Sequence, residues 1–221
     1  MTFLSFLADE RRPLVLDTSV LINLRACGYG ERVLAALPND IVVPEVVAWE
    51  LRHEASQRNG GDGFVIALHA DGRLRLVAMT DEECRLFGTL ISEPSSLDDG
   101  EAATVAIAVR RDFRAVIDER KGRARASEQM GGEEPGWSLD LLQHPSVVAS
   151  LGEASVADAV YLALRDGRMR IPAGRSDQVV KLIGYDRARQ CSCLPNFKSL
   201  IGCPESSARR QSSYSPFGAD N

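Results

Sequence analysis

The chain lacks the parts of several common chemistries. Its three histidines, His53, His69 and His144, are scattered through 221 residues, so no Ser-His-Asp order can be argued. Gly-rich loops of the phosphate-cradling type are absent. No run of about eighteen apolar residues occurs, which argues against a membrane-spanning helix. No basic surplus exists either: 26 Lys and Arg face 31 Asp and Glu, a formal charge of −5. Bulk charge therefore does not hold nucleic acid, although a local patch still can. Aromatics make up 6% of the chain, and its two tryptophans, Trp49 and Trp137, read as packing residues rather than base-stacking platforms. The opening MTFLSFLADERR lacks a basic stretch ahead of its apolar residues, so it does not read as a secretory leader. With five cysteines, an odd number, this points to reduced thiols and a cytoplasmic protein. Cys191, Cys193 and Cys203 lack both the usual C-x-x-C spacing and a fourth ligand, so they do not make a zinc clip.

What is present is alternation. Short apolar runs at 14–16, 41–43, 74–78 and 115–117 read as strands, with a fifth at 147–149. Between them lie helical patterns: one opened by Pro44 and running to about Arg58, one around 64–69, one after Thr80, one over 99–111, and one ending near Arg165. Thr80 with Glu83 has capping-box spacing. Strands alternating with helices predict an α/β fold with a parallel sheet covered on both faces. Residues 129–144, with their Gly131-Gly132-Glu133-Glu134-Pro135-Gly136 run, read as a loop insertion. The tail 204–221, polar and rich in Ser, reads as disordered. No internal repeat is visible.

Within this pattern, PLVLDTSVLINL (13–24) puts Asp17 between two apolar runs, where a charge is costly unless it is solvated, paired or bound to a metal. RAVIDERKGR (114–123) repeats the design, with Asp118 ending a strand. In parallel sheets, ligands sit beyond the carboxyl ends of the strands, where both acids would emerge. Either one alone could be a turn or helix cap. Glu50, in VPEVVAWELRHE, borders the apolar stripe of Val43, Val47 and Leu51 and could reach inward; it could equally be a surface residue near Arg52 or His53. SSLDDGEAATVAIAVRR offers Glu101 as a fourth acid, with Asp98 and Asp99 as alternatives, because Asp98 and Glu101 also have capping-box spacing. Several carboxylates brought together repel one another, and a divalent cation relieves this. Oxygen ligands select Mg²⁺ or Mn²⁺, ions suited to activating water and stabilising charge in phosphate chemistry.

LVLDTSVLINL, VVPEVVAWEL, LDDGEAATVAIA and AVIDERKGRARA, in this order, resemble the PIN-domain family, and within it the VapC-like toxin branch. The resemblance covers about residues 13–172. It implies a three-layer α/β/α fold and a Mg²⁺- or Mn²⁺-dependent endoribonuclease site leaving 5′-phosphate and 3′-hydroxyl ends. Asp17, Glu50, Glu101 and Asp118 fall on the family's acidic positions as catalytic and metal-binding residues. Thr18 and Ser19 fall on its small hydroxyl positions, which support the first Asp or a metal-bound water. The family further implies an RNA substrate, a homodimer and an inhibitory antitoxin protein. On this reading residues 1–175 form the PIN-like domain and 176–203 a C-terminal extension. The densest basic stretch, 110–125, flanks Asp118. It is either an RNA backbone grip, with Arg123 first and Arg120 and Lys121 beside it, or a solvated face paired with Asp112 and Glu119.

Two rivals have their own signatures. A signalling receiver domain also carries strand-end acids, but it needs an acid pair just after the first strand, where Thr18-Ser19 stand. A catalytically silent PIN-like binding module would act through protein contacts alone.

Overall fold

The computed structural model of the chain describes residues 5–58, 62–92, 97–195 and 197–201. Strands β1 (Leu14–Leu16), β2 (Ile41–Pro44), β3 (Arg75–Val77) and β4 (Arg114–Val116) form one sheet in the order β3-β2-β1-β4. Every pair is parallel, with Val15 beside Val42 and Leu16 beside Val116. Parallel neighbours need long crossovers, and helices supply them. α1 (Thr18–Ala26) and α2 (Gly30–Ala36) join β1 to β2, α3 (Glu45–Arg58) and α4 (Asp62–Ala70) join β2 to β3, and α5 (Asp81–Ser92) and α6 (Asp99–Arg111) lead to β4. Beyond β4 come α7 (Arg120–Gln129), α8 (Ser138–Leu142), α9 (Pro145–Leu151), α10 (Glu153–Arg165), α11 (Ser176–Ile183), α12 (Tyr185–Ala188) and α13 (Phe197–Ile201).

Side chains alternate across a strand, and this divides the core into two. Leu14, Leu16, Val43 and Val116 pack toward α1, α2 and the C-terminal helices. Val15, Val42, Ala115 and Ile117 pack the other way, against α5, α6 and α7. The result is the expected three layers around a parallel sheet. α6 lies deepest: Ala102 to Ala108 are almost fully buried, and the helix touches β1, β2 and β4 as well as α3, α5 and α7. Its run of alanines brings the backbone close to the sheet, so its N-terminus is fixed at the sheet's carboxyl edge. Asp112 ends it in the left-handed region at φ 53°. The Thr80–Glu83 capping box forms, and Glu83 also pairs with Arg111.

One expected strand is a helix. Residues 147–149 lie in α9, where His144 caps and Pro145 occupies the first turn. A three-residue apolar run does not by itself distinguish strand from helix. The place beside β4 is taken instead by Gly136, whose N–H donates to Ala115 O while its carbonyl accepts from Ile117 N. Residues 129–144 are therefore only partly loop, for they hold this bridge and α8. Pro44 closes β2 rather than opening α3. α11 and α12 pack Val179, Ile183 and Ala188 into the same core as α1 and α10. Among the described residues no single helix is long and apolar enough to cross a membrane. The tail 204–221 and Cys203 lie outside the described residues.

Candidate active site

Asp17 follows β1 directly. Its N–H donates to Val116 O, extending the ladder by one bond, and its carboxylate caps α1 by accepting from Ser19 N at 3.3 Å and Ser19 Oγ at 2.7 Å. Burial pushes its pKa up to about 7; the charge of Asp98 adds to this and the Ser19 bonds oppose it. Thr18 serves another acid. Its hydroxyl donates to Glu50 Oε2 at 2.5 Å, and Gly100 N donates to Glu50 Oε1 at 2.9 Å. Glu50, half-buried on α3, is thereby held over the N-terminus of α6, and burial raises its pKa. Gly100 makes this possible, since a Cβ there would collide with the Glu50 carboxylate and lie 2.6 Å from Thr18 Oγ1.

The ambiguity between Asp98 and Glu101 resolves geometrically. Asp98 is the exposed cap of α6 and accepts from Glu101 N at 2.8 Å; Asp99 is exposed. Glu101 is the buried one, 3% exposed. Burial, then the charges of Asp98 and Asp17, drive its pKa to about 8. Its Oε1 has no hydrogen-bond partner among the described residues. Gly122 of α7 lies against that oxygen, where a Cβ would come within 2.6 Å.

Asp118 lies two residues beyond β4 and is 2% exposed. Both its oxygens are engaged, Oδ2 by Asn23 Nδ2 at 2.6 Å and Oδ1 by Ser138 N at 2.8 Å. Burial still raises its pKa to about 6. Neither Asn23 nor Ser138 stands out in the sequence as a site residue. The available signal was an amide at position 23 inside the apolar run VLINL, six residues after Asp17 and on the buried side of α1.

The structure thus couples Asp17 with Glu101, with Asp98 acting on both, sets Glu50 beside them through Thr18, and holds Asp118 by its own donors. Among the described residues no group of three or more His, Cys, Asp and Glu is placed so that it could hold a metal ion together. The basic residues divide. Arg120 and Lys121 are exposed at the start of α7. Arg123, expected foremost as an RNA grip, is buried. Its guanidinium donates to the carbonyls of Ile117, Gly136 and Pro135 at 2.7–2.9 Å and stacks on Trp137 at 3.7 Å. It braces the segment that carries Asp118 and Ser138. Trp137 packs as expected, whereas Trp49 is 58% exposed on α3.

A parallel α/β/α domain with buried acids gathered at the carboxyl edge of its sheet has the architecture of a nuclease-type fold. The chain belongs to the PIN-domain family: a family model described as a PIN domain matches residues 13–131. Comparison with curated proteins and with solved structures returned no match. PIN domains are generally nucleases, which makes this a hydrolase-type scaffold.

Proposed function

We propose that the protein is a metal-dependent endoribonuclease of the VapC-like branch, the toxin of a toxin–antitoxin pair, acting in the cytoplasm as a homodimer and restrained by an antitoxin protein. The observation that carries this reading is Glu101. A carboxyl with an unpartnered oxygen, buried beside Asp17 and Asp98, destabilises a fold that has no use for it. A cation turns that cost into a binding site.

The donor set fits Mg²⁺ or Mn²⁺. Asp17 and Glu101 would hold the ion, and Mg²⁺ characteristically takes one or two carboxylates and keeps several waters. When bound there it supplies activation of a water and charge stabilisation at the scissile phosphate. The chain's own residues do the rest. Ser19 fixes the Asp17 carboxylate through Oδ2. Thr18 and Gly100 N orient Glu50, while Asn23 and Ser138 N hold Asp118 ionised against its burial. Asp118 and Glu50 then accept protons from, or position, water at the edge of the cluster.

The silent-module reading draws on one observation: Glu50 and Asp118 are already occupied by protein donors. Cleavage of labelled RNA in Mn²⁺ and in EDTA, beside Asp17→Asn, separates the two. Cleavage requiring both the metal and Asp17 is the expected result. Well-folded protein that neither cleaves RNA nor gains thermal stability from Mn²⁺ would sink the nuclease.

A further inference from the structure

The cluster around Asp17 and Glu101 is short of cations. The charges that act on Glu101 are those of other carboxylates, Asp98, Asp17 and Glu119. Arg123 is committed to backbone carbonyls. An RNA strand adds its own phosphates to this field, so it needs positive charge supplied from another part of the chain.

We propose that the loop 166–171, following α10, grips the RNA backbone beside the acids through Arg170 and Arg168. This rests on the ribonuclease reading for its substrate, and on separate observations for its residues. Arg170 Nη1 lies 2.9 Å from Glu119 Oε1, with the two side chains 59% and 40% exposed. Glu119 directly follows Asp118, which puts the Arg170 guanidinium at the rim of the site. An ion pair this exposed is held weakly and exchanges readily for a phosphate, which a guanidinium can bind in bidentate fashion.

The loop is fixed against the site. A Cβ on Gly167 would lie 2.5 Å from Asn23 Oδ1 and 2.7 Å from Ala163 O. Asn23 is the donor to Asp118 Oδ2, so loop, amide and carboxylate are packed together. Met169 is fully buried and its N–H donates to Ala163 O at 3.0 Å, which anchors the loop between the two exposed arginines. Arg168 has φ 58°, a region that favours glycine. An arginine kept there holds its side chain in place at the expense of backbone comfort.

The positive charge continues away from the rim. Burial raises the pKa of the Cys193 and Cys191 thiols, and Arg168 and Arg165 respectively lie near enough to oppose it. Arg165 and Arg187 both stack on Tyr161 at 5.0 Å and each pairs with an acid, Asp166 and Asp158 respectively. Residues 165–198 carry eight Arg and Lys against three Asp, in a chain of net charge −5. All of this lies beyond the family match, which ends at residue 131.

The test is binding of a fluorescently labelled single-stranded RNA of random sequence to the full chain in EDTA, read by anisotropy over a salt series. Arg168→Ala with Arg170→Ala should weaken binding about tenfold and flatten the slope of log K against log salt by about 1.4, two phosphate contacts at about 0.7 each. Arg170→Glu should weaken it further, and Arg168→Lys with Arg170→Lys should retain the slope. Arg120→Ala with Lys121→Ala should leave both affinity and slope unchanged. The proposal is overturned if the 168/170 alanine pair binds as the parent does, if the 120/121 pair takes the loss instead, or if the parent binds no RNA. RNA that is cleaved in an Asp17-dependent way but bound equally by the 168/170 pair would remove the grip and leave the nuclease standing. RNA bound through Arg168 and Arg170 but never cleaved would do the reverse.

Discussion

Glu101→Gln is the sharpest perturbation of the acid cluster, because its effect on the metal-free fold has a calculable sign. In an unfolded chain Glu101 releases its proton near 4.5; in the fold, burial first and then Asp98 and Asp17 hold that proton to about pH 8. Between these values the folded state keeps a proton that the unfolded state has lost, so stability falls as pH rises. The contribution is full below the unfolded value and gone above the folded one. At about 1.4 kcal/mol per pH unit, the window amounts to about 5 kcal/mol. Asp17, itself raised to about 7, shares the effect, since ionising one acid keeps the other protonated. Gln carries no charge at any pH and removes the Glu101 part of the slope. Thermal melts of the full chain in EDTA, from about pH 5 to about pH 9, should show the parent losing stability and Glu101→Gln losing much less, with the two separated by on the order of 10 °C at the alkaline end. Mn²⁺ should restore the parent at high pH and leave the variant unmoved, by mass action on the folded state alone. Parallel melting curves for the two proteins in EDTA would refute the claim that Glu101 is a buried, charge-crowded carboxyl.

Gly100→Ala gains about 1 kcal/mol of helix propensity but forces a methyl into the Glu50 carboxylate and Thr18, an overpacking cost of about 1–3 kcal/mol. The expected outcome is a slightly lower Tm and a weakened stabilisation by Mn²⁺; an unchanged metal response would show that Glu50 is free to move aside. Asn23→Ala takes the donor from Asp118 Oδ2 and should cost about 1–3 kcal/mol in urea unfolding, whereas a neutral result would mean that the bond is not formed in solution. Arg123→Ala takes a donor from the carbonyls of Ile117, Gly136 and Pro135, of which Gly136 O keeps Ile117 N, and uncovers Trp137. It should lower stability by about 3 kcal/mol and shift tryptophan emission, and a merely RNA-facing arginine would do neither.

The two strand-end acids, Asp17 and Asp118, and the parallel sheet are legible because each rests on a local signal, whereas Glu50 and the choice between Glu101 and Asp98 need the fold. A carboxylate that interrupts an apolar strand exit is visible in LVLDTS and AVIDER without any knowledge of contacts, and the three-layer arrangement follows from alternation. Local signals fail where the partner is distant in the chain. Arg123 sits in a basic run and reads as solvent-facing; what buries it is a set of carbonyls at 117, 135 and 136 together with the Trp137 ring. In α9, Val147 and Val148 favour a sheet, but His144 and Pro145 set the backbone for a helix. Asn23 and Ser138 are 115 residues apart yet hold one carboxylate between them, a relation that no spacing rule can reach.

That long-range hold alters what the family match means for the site. Residues 13–131 contain all four acids, yet they do not by themselves fix where Asp118 points. One oxygen of Asp118 is held by a backbone N–H at 138, and the strand that delivers it is braced on its outer edge by Gly136. Arg123, inside the matched region, is anchored by carbonyls outside it. The Asn23 amide is in turn backed by Gly167, where even a methyl group would intrude on Oδ1. A change at 136, 138 or 167 can therefore re-aim Asp118 while leaving every acid in place. The alignment of Asp118 is therefore controlled from beyond the match, whereas Asp17 and Glu50 take their donors from Ser19, Thr18 and Gly100 within it.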